Sequence, residues 1–191
     1  MSTPVEAATA AAGAYLGFAR AFDYPRAEFW QEAEGADGLA PVRSQEEREA
    51  VYLAAFELGW EAPSVPLYEG FCRPGEGREG ILEDILRFYE YFGVRLREGN
   101  RDYPDHLVSE LEFMAFLASR EARALAEGAD PEPFRCAQRD FLERHLALWA
   151  PELAGRLART GTIYAQLSRD LGDFICAHEA TLGAKSEGDS P

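Results

Sequence analysis

The sequence predicts an all-α protein, a single bundle of about seven to nine helices. Three observations carry this. β-branched residues are scarce, with Val 6, Ile 4 and Thr 5 among 191 residues. Ala, Leu, Glu and Arg, all good helix formers, dominate instead. Apolar residues also recur at helical spacing along most of the chain. At 47% hydrophobic the chain has enough apolar material for one sizeable core. That core is assigned to residues 1–182, and 183–191 to a small, polar, disordered tail.

A first helix is predicted over Pro4–Phe22, with Tyr15, Leu16, Phe18 and Phe22 for packing, broken by Asp23-Tyr24-Pro25. A short helix through Phe29 and Trp30 comes next, then a loop over Gly35–Pro41. Ser44-Gln-Glu-Glu47 is a capping-box pattern that starts a helix carrying Val51, Tyr52, Ala55, Phe56 and Gly59 on one face. Pro63 and Pro66 force an extended connection. A helix from about Gly80 carries Ile81, Leu82, Ile85, Leu86, Tyr89 and Phe92 and stops at Gly93; Gly99-Asn100 marks a turn. A long central helix is predicted to start near Pro104, in whose first turn a missing N–H costs nothing. Leu107, Leu111, Met114 and Leu117 share one face of it, widened by Val108, Phe113 and Phe116. Asp130-Pro131 caps the next helix, in which Phe134, Ala137, Phe141, His145, Leu148 and Trp149 share a face and which Pro151 ends or kinks. A last helix from about Thr160 carries Ile163, Leu167, Leu171, Phe174 and Leu182. No internal repeat or sustained heptad interrupts this pattern.

Charge and cysteine usage exclude several functions. Nineteen basic against 34 acidic residues give a net charge of −15, and the only lysine is Lys185. That argues against nucleic-acid binding and against docking on anionic lipid, both of which need basic patches. Cys72, Cys136 and Cys176 are widely spaced and read as buried thiols in a reducing cytoplasm, not as a zinc site or disulfide framework. The N-terminus is not a secretory signal, and no apolar run reaches the ~20 residues that span a bilayer.

Enzyme motifs fail on physical grounds. Gly75-Glu-Gly77-Arg-Glu-Gly80 matches G-x-G-x-x-G, but Phe71-Cys-Arg-Pro74 before it is no strand, and Glu76 and Glu79 would repel a pyrophosphate. A turn is the better reading. The residues three before His106, His145 and His178 are Tyr103, Leu142 and Ile175, so no Glu-x-x-His pair can build a di-iron site. Glu143 and His145, two apart, point to different helix faces. His145 and His178 lie on apolar stripes and read as satisfied core histidines.

One constellation stands out. Tyr103-Pro-Asp-His-Leu-Val-Ser-Glu-Leu-Glu-Phe-Met114 gathers ionisable groups at a helix N-terminus. Asp105 is expected in the first turn, where free N–H groups and the macrodipole favour a carboxylate. His106 and Glu110 fall at i, i+4, and Asp105, Ser109 and Glu112 at i, i+4, i+7, so two acidic strips are expected beside aromatic surface. Such a surface suits a peptide bearing arginine and apolar residues, because an arginine–carboxylate pair can be bidentate. A plain helix cap is the alternative reading.

At these residues the sequence resembles the TorD/DmsD/NarJ family of cytoplasmic chaperones for molybdenum-containing redox enzymes. The resemblance is carried by Pro66-Leu-Tyr-Glu69, Phe88-Tyr-Glu-Tyr-Phe-Gly93, Pro104-Asp-His106 with Glu110-Leu-Glu-Phe-Met114, and Phe141-Leu-Glu-Arg-His-Leu-Ala-Leu-Trp149, in family order from about Tyr52 to Phe174. It looks most like the branch serving type II DMSO-reductase-family enzymes. Gly70, where many TorD-type relatives carry serine, and the segment Gly75–Gly80 depart from the pattern.

The resemblance implies a non-catalytic cytoplasmic protein. It would bind the cofactor-free catalytic subunit of a molybdoenzyme, often through its twin-arginine signal peptide, and delay export until the molybdenum cofactor is inserted. Family positions linked to leader binding match Tyr68, Glu69, Pro104, Asp105 and His106. Adding neighbours of suitable chemistry gives an expected peptide site of Tyr68, Glu69, Phe71, Tyr103, Pro104, Asp105, His106, Glu110 and Glu112. The carboxylates would receive leader arginines, and Tyr68, Phe71 and Tyr103 its apolar segment. A guanine-nucleotide role has been suggested in the family, but no phosphate cradle is present, so no cofactor is assigned. Monomer and domain-swapped dimer both stay open. An acidic helical interaction protein for an unrelated partner is the alternative.

Overall fold

The computed structural model describes residues 2–26, 44–57, 64–73, 75, 77–95 and 103–183. The short helix expected at Phe29 and Trp30, the loop over Gly35–Pro41, Gly59, Pro63, the turn at Gly99-Asn100 and the tail after Gly183 lie outside them. Among the described residues the elements are helical apart from one isolated antiparallel bridge. The all-α expectation holds.

Helix α1 spans Pro4–Phe22 and opens with a capping box, in which the Thr3 hydroxyl and the Glu6 carboxylate each accept the other's backbone N–H. Helix α2, Gln45–Phe56, opens the same way at Ser44 and Glu47, as its sequence pattern predicts. A short helix α3, Glu69–Cys72, comes after an extended stretch over 64–67. Helix α4 is Arg78–Tyr91, and Gly93 stops it at φ 65°. Helix α5, Leu107–Glu127, ends at Gly128 with φ 69°. Helix α6, Glu132–Phe141, starts where the Asp130 carboxylate accepts the Glu132 N–H at 2.9 Å. A π turn, Leu142–Leu146, then leads directly into α7, Ala147–Leu157. Helix α8 is Ile163–Gly183.

Helix α5 is the centre of the bundle. Its stripe of Leu107, Leu111, Met114 and Leu117 is fully buried. Helix α1 lies along it more extensively than any other pair of elements, presenting Ala8, Ala11, Tyr15, Ala19 and Phe22. The alanines let the two backbones approach closely. Helix α6 packs on α5 as well, and α7 packs on α8. Among the described residues no helix is long and apolar enough to cross a membrane.

Several sequence expectations change here, and Leu16 and Leu86, expected to pack, are exposed. Pro151 does not end the helix; it sits inside α7, and the irregularity is the π turn just before it. Proline has no N–H to return to the Ala147 carbonyl, and the helix widens in the preceding turn. A π turn holds more residues than an α turn, so it rotates the helix face beyond it. Leu148 therefore faces solvent at 51% exposure, while Leu142, Leu146, Trp149 and Leu153 fill the core. Ile163 is also outside, and Tyr164, Ser168, Leu171 and Ile175 form the inner face of α8. Of the thiols only Cys72 is buried, which pushes it up to about 11; Cys136 is half-buried and Cys176 exposed.

His178 is partnered as expected but is only half-buried. Burial holds its pKa below the usual value, and the Tyr15 hydroxyl lies 2.8 Å from its Nδ1.

The register set by the π turn is testable. Leu142→Ala should destabilise the fold by about 2–5 kcal/mol, as for a fully buried leucine. Leu148→Ala should stay within about 0.5 kcal/mol. Urea denaturation of the two variants separates this register from an unbroken α-helix, which would put Leu148 inside.

Candidate functional site

Two segments far apart in sequence make the site. Pro66 keeps the chain extended before α3. Leu67 then accepts the Leu107 N–H at 2.8 Å, and the Glu69 N–H reaches the Asp105 carbonyl at 2.9 Å. Tyr68 and His106 face each other across this antiparallel bridge, their rings 4.8 Å apart. The Tyr-Glu and Pro-Asp-His segments are thus bound backbone to backbone.

The start of α5 differs from the expected one. Pro104 is not in the helix's first turn. It occupies the second place of a tight turn closed by the His106 N–H on the Tyr103 carbonyl at 3.0 Å, a position suited to its fixed φ. His106 is the N-cap, and its Nδ1 accepts the Val108 N–H at 3.3 Å. Asp105 therefore precedes the helix, and the strip Asp105, Ser109, Glu112 does not form. The turn aims the Asp105 carboxylate at α3 and α4 instead.

There it meets an arginine of its own chain. Asp105 is fully buried, and Arg78 grips it with both arms: Nε to Oδ2 at 2.8 Å and Nη2 to Oδ1 at 3.0 Å. The Gly70 N–H adds a contact at 3.3 Å. The Arg78 guanidinium carbon lies 5.2, 5.0 and 4.6 Å from the ring centres of Tyr68, Phe71 and Tyr103. Bidentate pairing plus aromatic faces is the geometry that recognises a guanidinium. Phe71 and Tyr103 are half-exposed at 50% and 53%, so the rim of this box opens to solvent.

Beneath the box lies a second cluster. Glu69 and Glu110 are both fully buried. Glu69 accepts from Arg73 on one oxygen and pairs with His145 Nδ1 at 2.9 Å on the other. His145 Nε2 lies 3.1 Å from Asp84, which Arg144 also contacts. The Trp149 indole N–H donates to Glu110 Oε2 at 3.0 Å. The other Glu110 oxygen takes no hydrogen bond from a donor. Burial, and then the charge of neighbouring Glu69, lift the Glu110 carboxyl well above the usual carboxylate range; the Trp149 donor opposes them only in part. Glu110 therefore holds its proton more tightly than a solvated carboxyl. An open groove of about 560 Å³ reaches this cluster from the side of α4 and the π turn, with Arg73, Asp84, Arg144 and His145 in its walls.

The expected site residues thus separate. Tyr68, Phe71 and Tyr103 gather around the box, and Asp105 forms its floor. Pro104 and His106 are buried and shape the turn. Glu69 and Glu110 lie in the interior, and Glu112 is exposed on α5. Sequence reasoning misses Gly70, Arg73, Arg78, Asp84 and Trp149 as members of the site. The one signal for Arg78 is its place inside the glycine-rich segment, which reads as a turn once phosphate binding is excluded. His145 is the satisfied core histidine expected, with both its ring nitrogens partnered.

The raised Glu110 pKa gives a pH test. A carboxyl that binds its proton more tightly folded than unfolded stabilises the fold at low pH. It loses that contribution as pH climbs from its ordinary 4.5 through the folded value. Glu110→Gln keeps an acceptor for Trp149, offers N–H to Glu69 and has no proton to lose. Its melting temperature should exceed that of the unaltered protein increasingly as pH rises, by about 2–4 °C per kcal/mol. A constant gap across pH 5–9 would show that Glu110 is ionised throughout.

Known proteins place the chain in a family. The family model described as nitrate reductase delta subunit matches residues 11–155. The selenate reductase assembly chaperone protein of Thauera selenatis is 47% identical over 186 residues, 97% of this chain and 96% of that one. The chlorate reductase assembly chaperone protein of Ideonella dechloratans is 46% identical over 183 residues, 96% and 95% of the two chains. The dimethyl sulfide dehydrogenase assembly chaperone protein of Rhodovulum sulfidophilum is 36% identical, over 76% of this chain and 63% of its own. The matched span holds both halves of the box and the buried carboxyl cluster, and the chain belongs to the nitrate reductase delta subunit family, of which the TorD/DmsD/NarJ chaperones are part.

Proposed function

We propose that this protein is a cytoplasmic assembly chaperone, without catalytic activity of its own, for the cofactor-free catalytic subunit of a molybdenum-containing oxidoreductase of the type II DMSO-reductase family. Relatives named as assembly chaperones, similar over nearly the full length, support the chaperone role. The observation that carries the mode of binding is the box itself. Asp105, Tyr68, Phe71 and Tyr103 surround a guanidinium in a geometry that an arginine of a twin-arginine signal peptide would satisfy.

In this reading the half-exposed edges of Phe71 and Tyr103 meet the apolar part of the leader, and Asp105 orients its arginine. Glu69, Glu110 and His106 support the box from within. A net charge of −15 draws an arginine-bearing peptide toward the protein and repels other acidic chains. Micromolar affinity requires only about −8 kcal/mol, within reach of a bidentate pair and a modest apolar patch. Moderate affinity suits a client that must be released once its cofactor is in place. The cofactor belongs to the client.

Calorimetry with a synthetic peptide carrying two adjacent arginines and an apolar segment tests this. Asp105→Asn should weaken binding about tenfold, as for loss of one charged hydrogen bond, with the helical circular dichroism intact. Equal affinity for both proteins would remove Asp105 from the interface. Affinity capture followed by mass spectrometry should return a molybdoenzyme catalytic subunit. An unrelated partner in its place would favour a different regulatory role.

A further inference from the structure

Arg78 already occupies the place that a client arginine would take. We infer that it is a resident stand-in for the client: the protein holds its arginine box closed on itself, and a peptide arginine binds by exchange with Arg78. The inference rests on the leader-binding reading above and specifies how that site is regulated.

Three features of the structure point to exchange rather than to a permanent brace. First, the two partners differ in exposure: the Arg78 side chain is 30% exposed, whereas Asp105 has none of its side chain in solvent. A buried ionised carboxylate is costly to leave unpaired, so the box favours holding a cation. Swapping one guanidinium for another keeps the charge paired throughout, while simple opening does not. Second, Arg78 is the first residue of α4, directly after Gly77, whose φ is 75°. Its departure would disturb a helix end and leave the helix interior intact. Third, its stem passes over Gly70. A Cβ there would stand 2.4 Å from Arg78 Cγ and 2.9 Å from Cδ, so a larger residue at position 70 would push the arginine stem aside. Gly70 thereby leaves room for self-occupancy, while its N–H helps to hold Asp105.

The consequence for binding is quantitative. An internal competitor lowers the apparent affinity by the fraction of time that the box is free. If Arg78 fills it about 90% of the time, the measured affinity is about tenfold weaker than the intrinsic one. The empty chaperone then keeps a sticky acceptor of cations covered, and only a peptide that adds apolar contacts to its arginine displaces the resident.

Fluorescence anisotropy with the same labelled twin-arginine peptide tests this. Arg78→Gln retains an N–H for Asp105 but frees the aromatic faces. Gly70→Ser leaves the charge in place but evicts the arginine stem by contact. Both should bind the peptide about tenfold more tightly than the unaltered protein, and both should still require the peptide's arginines. A brace with only a structural role predicts the opposite sign. Affinity that is equal or weaker in both folded variants overturns the inference, and if it remains arginine-dependent the leader-binding reading survives. Loss of binding in all three proteins overturns both. Should neither variant fold, hydrogen exchange at the Arg78 Nε–H of the unaltered protein decides. It should be slow alone and fast at saturating peptide; protection that persists at saturation overturns the exchange.

Discussion

The short antiparallel pairing of residues 67–69 with 105–107 is the constraint on which the site depends. It places an extended segment against the entry to the central helix, with Leu67 and Leu107 both buried on either side of the bridge. The pairing is therefore sealed by the core and not left to compete with water. From it two consequences run in opposite directions. Glu69 is turned inward, toward Glu110 and His145, and Asp105 is turned toward Arg78 and Gly70. A slip of this pairing by one residue would exchange the inner and outer side chains of both segments.

Three fully buried carboxyls lie within this small region, each compensated differently. Asp105 has a guanidinium, Glu69 an arginine and an imidazole, and Glu110 an indole N–H. Burying such groups in isolation would be prohibitive, and a paired set gives little net stability over a hydrophobic packing of the same volume. What the set does provide is geometry. It ties α3, α4, α5 and the π turn together at one end of the bundle by directional contacts. Elsewhere in the core, Phe22, Phe56 and Tyr164 are held by tilted and edge-on aromatic packing. The π turn belongs to this scheme. It places His145 between Glu69 and Asp84 while Trp149, one turn later, still reaches Glu110.

In the proposed reading, the surface over this polar end receives a cationic, partly apolar peptide. Its exposed aromatic edges, Phe71 and Tyr103, stand together beside Asp105, and the chain as a whole is strongly acidic. Asp105 and the turn that aims it are held by several hydrogen bonds. The groups at the rim, Phe71, Tyr103 and the N-terminal residue of α4, lie at element ends, where adjustment leaves the core undisturbed.

The helical elements were legible in the sequence because local patterns specify them. The capping box at Ser44–Glu47, the stripe Leu107, Leu111, Met114, Leu117 and the stop at Gly93 each depend on residues within one or two turns of one another. The aromatic and acidic residue types of the site were legible for the same reason. Partnership was not. That Asp105 would face Arg78 instead of opening a helix, and that Glu110 would be buried against Glu69, depend on contacts between segments distant in sequence. That Leu148 would turn outward depends on a change of helical pitch. Sequence alone determined an acidic all-α bundle with a Tyr-Glu and a Pro-Asp-His segment. Only tertiary structure decided which carboxylates meet solvent and which are already matched, because burial and pairing are properties of the packed chain and not of any one of its segments.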